Sequence, residues 1–255
     1  VAMSEPSDTP FIQITGLKKR LGTQQVLRGV NLTIRRGETL VVIGPSGEGK
    51  TVMIKHIIGL LKPDEGHIVV DDITVNGLKE RQLYAVRQKV SFLFQNSALF
   101  DSLTVAQNVA FPLVESGVKD RHEIQERVRE ALSVVDLAEH AEKLPVNLSG
   151  GMRKRAGIAR AIVARQQCIL YDEPTASLDP VVSDVIDQMI IRLQKRFGMT
   201  SLVVTHDMKS VFKIADRVAM LKGGVIHELG TPDDLRKNKD PMVVDFIEGR
   251  SGVVG

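Results

Sequence analysis

One stretch, Gly44-Pro45-Ser46-Gly47-Glu48-Gly49-Lys50-Thr51, limits the folds open to this chain more than any other. It reads G-x-x-x-x-G-K-[ST]. Its glycines let the backbone come close to a polyphosphate, and its amide N–H groups, backed by the positive end of a following helix, hold negative charge. That chemistry needs a strand running in and a helix running out. Glu38 to Ile43 is a short apolar run, and Ile54, Ile57, Ile58 and Leu61 recur at helical spacing until Pro63 and Gly66. A chance glycine-rich turn lacks such flanks. Ser46, Gly47 and Gly49 would supply the cradle, Lys50 would reach the β- and γ-phosphates, and the Thr51 hydroxyl would ligate Mg2+. Glu48 is an odd guest beside polyphosphate, and its side chain is expected to point away into solvent.

The rest of the chain alternates strand and helix. Phe11 to Ile34 alternates as strands do, turning near Gly22-Thr23. His67 to Val75, Val90 to Phe94, Cys168 to Tyr171 and Ser201 to Thr205 read as strands, and Gly223-Gly224 as a hairpin turn. Val185, Ile186, Met189, Ile190, Leu193 and Phe197 mark a helix. Between Ser97 and Ala164 the pattern is helical, with Ile124, Val128, Ala131, Leu132 and Val135 on one face. The expected fold is α/β: a P-loop, mainly parallel sheet core, an N-terminal antiparallel β subdomain and an inserted α-helical subdomain. The expected divisions are a polar segment over 1–10, a main domain over 11–230 with the helical insertion at about 97–164, and an extension over 231–255.

Bulk properties narrow the partners. A net charge of +3 in 255 residues, with no long basic run, gives no reason to expect nucleic acid. No apolar run reaches membrane-spanning length, and Val1 to Pro10 lacks the apolar core of a secretion signal. Cys168 stands alone, so it forms no internal disulfide or zinc site and reads as a small core residue. All this fits the cytosol.

Two further segments carry chemistry. Cys168-Ile-Leu-Tyr-Asp172-Glu173 is an apolar strand ending in two acids. Asp172 fits a second Mg2+ contact, and Glu173, aimed differently by strand alternation, can polarise a water attacking the γ-phosphate. Leu148-Ser149-Gly150-Gly151-Met152 lies far from the phosphate loop. Asn147 or Ser149 can cap a helix there, and Gly150-Gly151 leave amides uncovered at its start, a second anion site.

A phosphate loop followed by an LSGG signature resembles the ATP-binding subunit of an ABC transporter, over Phe11 to about Gly230. The resemblance implies a RecA-like core, ATP and Mg2+ as ligands, and ATP hydrolysis coupled to transport. It makes Gln95 the sensor of Mg2+ and attacking water, His206 the switch histidine at the γ-phosphate, and Ser177-Leu178-Asp179 the loop facing the opposite subunit. Ser149, Gly150 and Gly151 would then bind ATP held by a second copy, so the working unit would be a homodimer. Leu21 stands where many relatives place an aromatic residue against adenine, leaving Leu21 and Val26 as an apolar contact without ring stacking.

Met152-Arg153-Lys154-Arg155, Phe94 to Val105 and Asn108 to Leu113 look like the Mla/Mce-type lipid transporters, as does the ending Asp240-Pro241 to Gly249. That likeness implies phospholipid or sterol-like cargo, integral-membrane permease subunits, an Mce-type envelope partner and a seat on the cytoplasmic side of the inner membrane. Other importers, and a cofactor-assembly ABC ATPase without a permease, are the alternatives. Asn238-Lys239-Asp240-Pro241 looks superficially like an N-K-x-D guanine reader, but its Asp comes one residue early; a solvated turn before a C-terminal helix is the better reading.

Overall fold

The computed structural model describes residues 9–250. Most of the N-terminal polar segment and the last five residues fall outside that range. Strands β1 (Pro10–Leu21) and β2 (Gln24–Arg35) form a hairpin turning at Gly22, and β3 (Thr39–Ile43) leads into the phosphate loop and helix α1 (Lys50–Ile57). Strands β4 (Glu65–Val70) and β5 (Ile73–Thr74), helix α2 (Glu80–Arg87) and strand β6 (Val90–Leu93) follow. A helical block comes next: α3 (Val105–Glu115), α4 (Arg121–Val134) and α5 (Gly150–Ile162). Strand β7 (Cys168–Asp172), helix α6 (Pro180–Phe197), strand β8 (Thr200–Val204) and helix α7 (Met208–Ile214) return the chain to the sheet. Strands β9 (Arg217–Lys222) and β10 (Val225–Gly230) and helices α8 (Pro232–Arg236) and α9 (Pro241–Glu248) complete it.

Two sheets result. One is antiparallel, in the order β2-β1-β4-β5; the other runs β10-β9-β3-β8-β7-β6, parallel except for β10. The larger sheet divides the core by strand alternation. Leu40, Val42, Cys168, Leu170, Leu202 and Val204 face the antiparallel sheet and α1. Val41, Ile43, Ile169, Tyr171 and Val203 face the helices on the other side. Cys168 is fully buried, and burial raises its thiol pKa, as suits an inert core residue.

Several boundaries differ from the sequence reading. α1 stops at Ile57, because Gly59 turns left-handed (φ 69°) well before Pro63. The expected strand from His67 to Val75 is broken in two: Asp71 (φ 45°) and Asp72 (φ 65°) make a tight turn between β4 and β5. α2 was not foreseen; it is polar and buries only Leu83 and Val86. The helical block begins at Val105 rather than Ser97, after a Thr104–Gln107 capping box. Leu235 and Val243, on α8 and α9, are buried in the same core as the helical block. Asp240 caps α9 and lies 2.8 Å from His227, which fits a turn before a helix. Among the described residues no helix is long and apolar enough to cross a membrane.

Candidate active site

The site forms where the parallel strands end, the crevice that open α/β sheets offer to ligands. β3 delivers Gly44, whose backbone (φ 144°) runs so close to β9 that a Cβ would lie 2.1 Å from the Leu221 carbonyl oxygen. Only glycine fits there. Ser46 and Gly47 are exposed, and nothing lies near a Cβ built on Gly47. Gly49 (φ 97°) starts α1 and presses on β2: a Cβ would come 2.7 Å from Val26 Cγ1. Val26 therefore borders the loop, whereas Leu21 stands exposed at the end of β1.

Lys50 is buried and donates to the Gly44 and Pro45 carbonyls at 2.7 and 2.9 Å. Burial lowers its pKa, opposed by the charges of Glu173, Glu48 and Asp172. The Thr51 hydroxyl donates to Asp172 Oδ1 at 2.7 Å, joining the loop to β7. Burial raises the Asp172 pKa, against the Thr51 hydrogen bond and the Lys55 charge. A hydroxyl and a carboxylate so paired, beside a loop of open amides and a lysine, fit a magnesium–nucleotide complex.

Glu173 sits one residue past β7 with φ 50°; its N–H donates to the Val204 carbonyl at 2.9 Å. Its Oε2 lies 2.9 Å from His206 Nδ1, too poorly aligned to count as a hydrogen bond, so this buried oxygen has no hydrogen-bond partner. His206 is largely exposed. Gln95, just past β6, is exposed as well. Lys50, Thr51, Asp172, Glu173, His206 and Gln95 thus gather at the ends of β3, β7, β8 and β6.

The signature is separate. Ser149 caps α5, its Oγ accepting from the Met152 N–H at 3.3 Å. Gly151 packs on α6, where a Cβ would lie 2.3 Å from Val182 Cγ1. Asp179 caps α6, accepting from the Val181 and Val182 N–H groups at 3.0 Å each. Among the described residues no hydrogen bond links the Ser149–Gly151 turn to the phosphate loop.

Glu48 departs from expectation. It does turn away from the loop's open face, but into the β9–β10 hairpin instead of solvent. Its Oε2 accepts from the Gly223 N–H at 2.7 Å, and its Oε1 lies 3.1 Å from Lys222 Nζ. Lys154 enters the sequence reading only within the run Met152 to Arg155, with no role of its own. It donates to the carbonyls of Gln95 and Glu173 from a buried position on α5. A lysine within the stripe Gly151, Lys154, Ile158, Ala161 was the available signal.

A phosphate loop on such a sheet, with its acids at neighbouring strand ends, defines a P-loop nucleotide-binding protein. Residues 27–176 match the family model described as ABC transporter, and the chain belongs to that family: it is an ABC-type ATP-binding subunit, an ATPase that uses ATP with Mg2+. It is 39% identical over 239 residues to the probable ribonucleotide transport ATP-binding protein mkl of Mycobacterium bovis, spanning 94% of this chain and 67% of that one. It is 40% identical over 219 residues to the methionine import ATP-binding protein MetN of Rhizobium johnstonii, spanning 86% of this chain and 60% of that one. The fold is similar to that of the dimeric ATP-binding cassette MJ0796 in a post-hydrolysis state with ADP and Pi. The TM-score is 0.80 at 34% identity, covering 87% of this chain and 98% of that one. It is also similar to cbiO1 from Clostridium perfringens, part of the transporter complex cbiONQ, with a TM-score of 0.83 at 29% identity, covering 95% and 96%.

Proposed function

We propose that this chain is the motor of a membrane transporter and works as a pair, each copy completing the other's site. The observation that carries the reading is the gathering of Lys50, Thr51, Asp172 and Glu173 at one set of strand ends, with Ser149 and its helix start apart from them. The amides of Ser46 to Gly49 and the Lys50 ammonium hold the triphosphate, with Leu21 and Val26 on the base side. Thr51, Asp172 and Gln95 would hold Mg2+, which neutralises charge on the β- and γ-phosphates. Glu173, whose buried Oε2 makes no hydrogen bond and lies beside His206, polarises the attacking water, and His206 keeps that water in line. Attack on the γ-phosphorus breaks its bond to the bridging oxygen and leaves ADP and phosphate.

Ser149, Gly150 and Gly151 of the second copy face the γ-phosphate, with Asp179 at the seam. The bridge favours the closed pair, and hydrolysis removes it. Dimeric MJ0796 with ADP and Pi supports this arrangement. The helical block after Gln95 docks on permease subunits at the cytoplasmic side of the inner membrane.

Glu173→Gln tests the mechanism. Its turnover is expected to fall by about 10²–10⁴-fold, with ATP binding kept and a dimer that forms only with ATP. A variant that hydrolyses ATP normally removes Glu173 from the role; one that stays monomeric in ATP removes the shared site.

For cargo, the likeness of 94–113 and Met152 to Mla/Mce-type ATPases supports a phospholipid or sterol-like lipid and an Mce-type envelope partner. The names of mkl, ribonucleotide transport, and MetN, methionine import, favour a second reading, a transporter of small polar solutes. In vesicles carrying the copurified permease, ATP turnover should respond to lipid composition. A response to methionine or a ribonucleotide alone would decide for the second reading.

A further inference from the structure

α5 meets the sheet along a stripe that contains charge. Gly157 rides on the exit of β6 so closely that a Cβ there would lie 2.7 Å from Leu93 Cδ1 and 3.2 Å from Ser97 Cβ. Two cations of this helix then reach across. Arg160 donates to the Ser97 and Ala98 carbonyls at 2.7 and 2.8 Å, and those residues hold φ of 59° and 45°. Lys154, 5% exposed, donates to the Gln95 carbonyl and, at 3.1 Å, to that of Glu173, which itself holds φ 50°. Non-glycine residues seldom keep a positive φ, and persist there only where their surroundings fix them. Burying an ammonium is costly, and an apolar side chain of similar length would fill the same space more cheaply. The charge at 154 is explained by what it faces: two carbonyls from the ends of two different strands, with the Asp172 and Glu173 charges near enough to favour the ammonium.

We propose that Lys154 is a positioning residue: from the signature helix its ammonium fixes the backbone of Gln95 against that of Glu173, and so sets where the Glu173 carboxylate points. The inference rests on Glu173 and Gln95 acting in hydrolysis as proposed above. It adds a path between docking and chemistry. β6 leaves the sheet through Gln95 into α3, α4 and α5, and α5 brings Lys154 back to the same place.

Lys154→Met removes the grip at similar volume, Lys154→Gln shortens it, and Lys154→Arg keeps the charge. The Met and Gln variants are expected to bind ATP within about twofold of the parent while kcat falls about tenfold or more, with partial recovery in Arg. Amide hydrogen exchange should quicken over 95–98 and 173–177 and stay unchanged over 44–51. Parental turnover in a folded Met or Gln variant overturns the proposal. So does a loss of thermal stability with kcat intact, or ATP binding that falls in step with kcat. If the Met variant fails to fold, the Gln variant carries the test. Glu173→Gln, measured alongside, separates the two readings: if it turns over normally the catalytic assignment fails, and if it is inactive while Lys154→Met is normal only the positioning role fails.

Discussion

Glu48 places a carboxylate inside a loop built for anions, and its partners show how that is tolerated. Gly223 N–H and Lys222 hold it on the hairpin, where it also attracts Lys50. Glu48→Gln keeps an acceptor for Gly223 and removes the charge. ATP should bind about three- to tenfold tighter, since the lost repulsion is on the order of 1 kcal/mol at this range. Titration calorimetry checks this; unchanged affinity would mean that Lys222 already cancels the charge. At this scale the sequence was uneven. Lys50, Thr51, Asp172 and Glu173 were legible because each follows an apolar strand in a fixed pattern. Glu48 and Lys154 were not, because their partners, Gly223 and the Gln95 and Glu173 carbonyls, are distant along the chain and met only by folding.

Among the elements, β3 and β7 could be read because strands buried on both faces are near-continuous apolar runs, and β8 by its Leu202 to Val204. α2 could not, since a helix with two buried residues has almost no apolar stripe. The Asp71-Asp72 turn lacks the glycine that usually announces such a bend. The α6–α7 contact carries a pH dependence of its own. Asp187 on α6 accepts from the Ser210 hydroxyl of α7 at 3.0 Å, and its other oxygen is buried without a partner. Burial lifts its pKa to about 6, opposed by the Ser210 hydrogen bond and Lys213 and helped by Asp207 and Asp184. The unfolded chain has the ordinary value of 3.8, so the folded state holds the extra proton between the two. The contact's stability is complete below about 3.8 and is lost as pH rises through about 6. Asp187→Asn imitates the protonated form. A rise from 3.8 to about 6 corresponds to about 3 kcal/mol, so its melting midpoint should exceed the parent's by about 6–12 °C at neutral pH, with the gap closing toward pH 4. A gap that stays constant across stepwise melts would mean that Asp187 does not titrate in this range.

For the whole molecule, the alternation of strand and helix was enough to foresee the α/β architecture, and the two sheets follow from it. What alternation could not reveal was how the layers are tied. Successive residues of β3 go to opposite sides: Leu40 and Val42 to one core, Val41 and Ile43 to the other. That strand is a party wall between two rooms. Neither room stands if the wall goes, so heat should empty both at once, and the nucleotide-cradling half has no existence apart from the half that supports the signature.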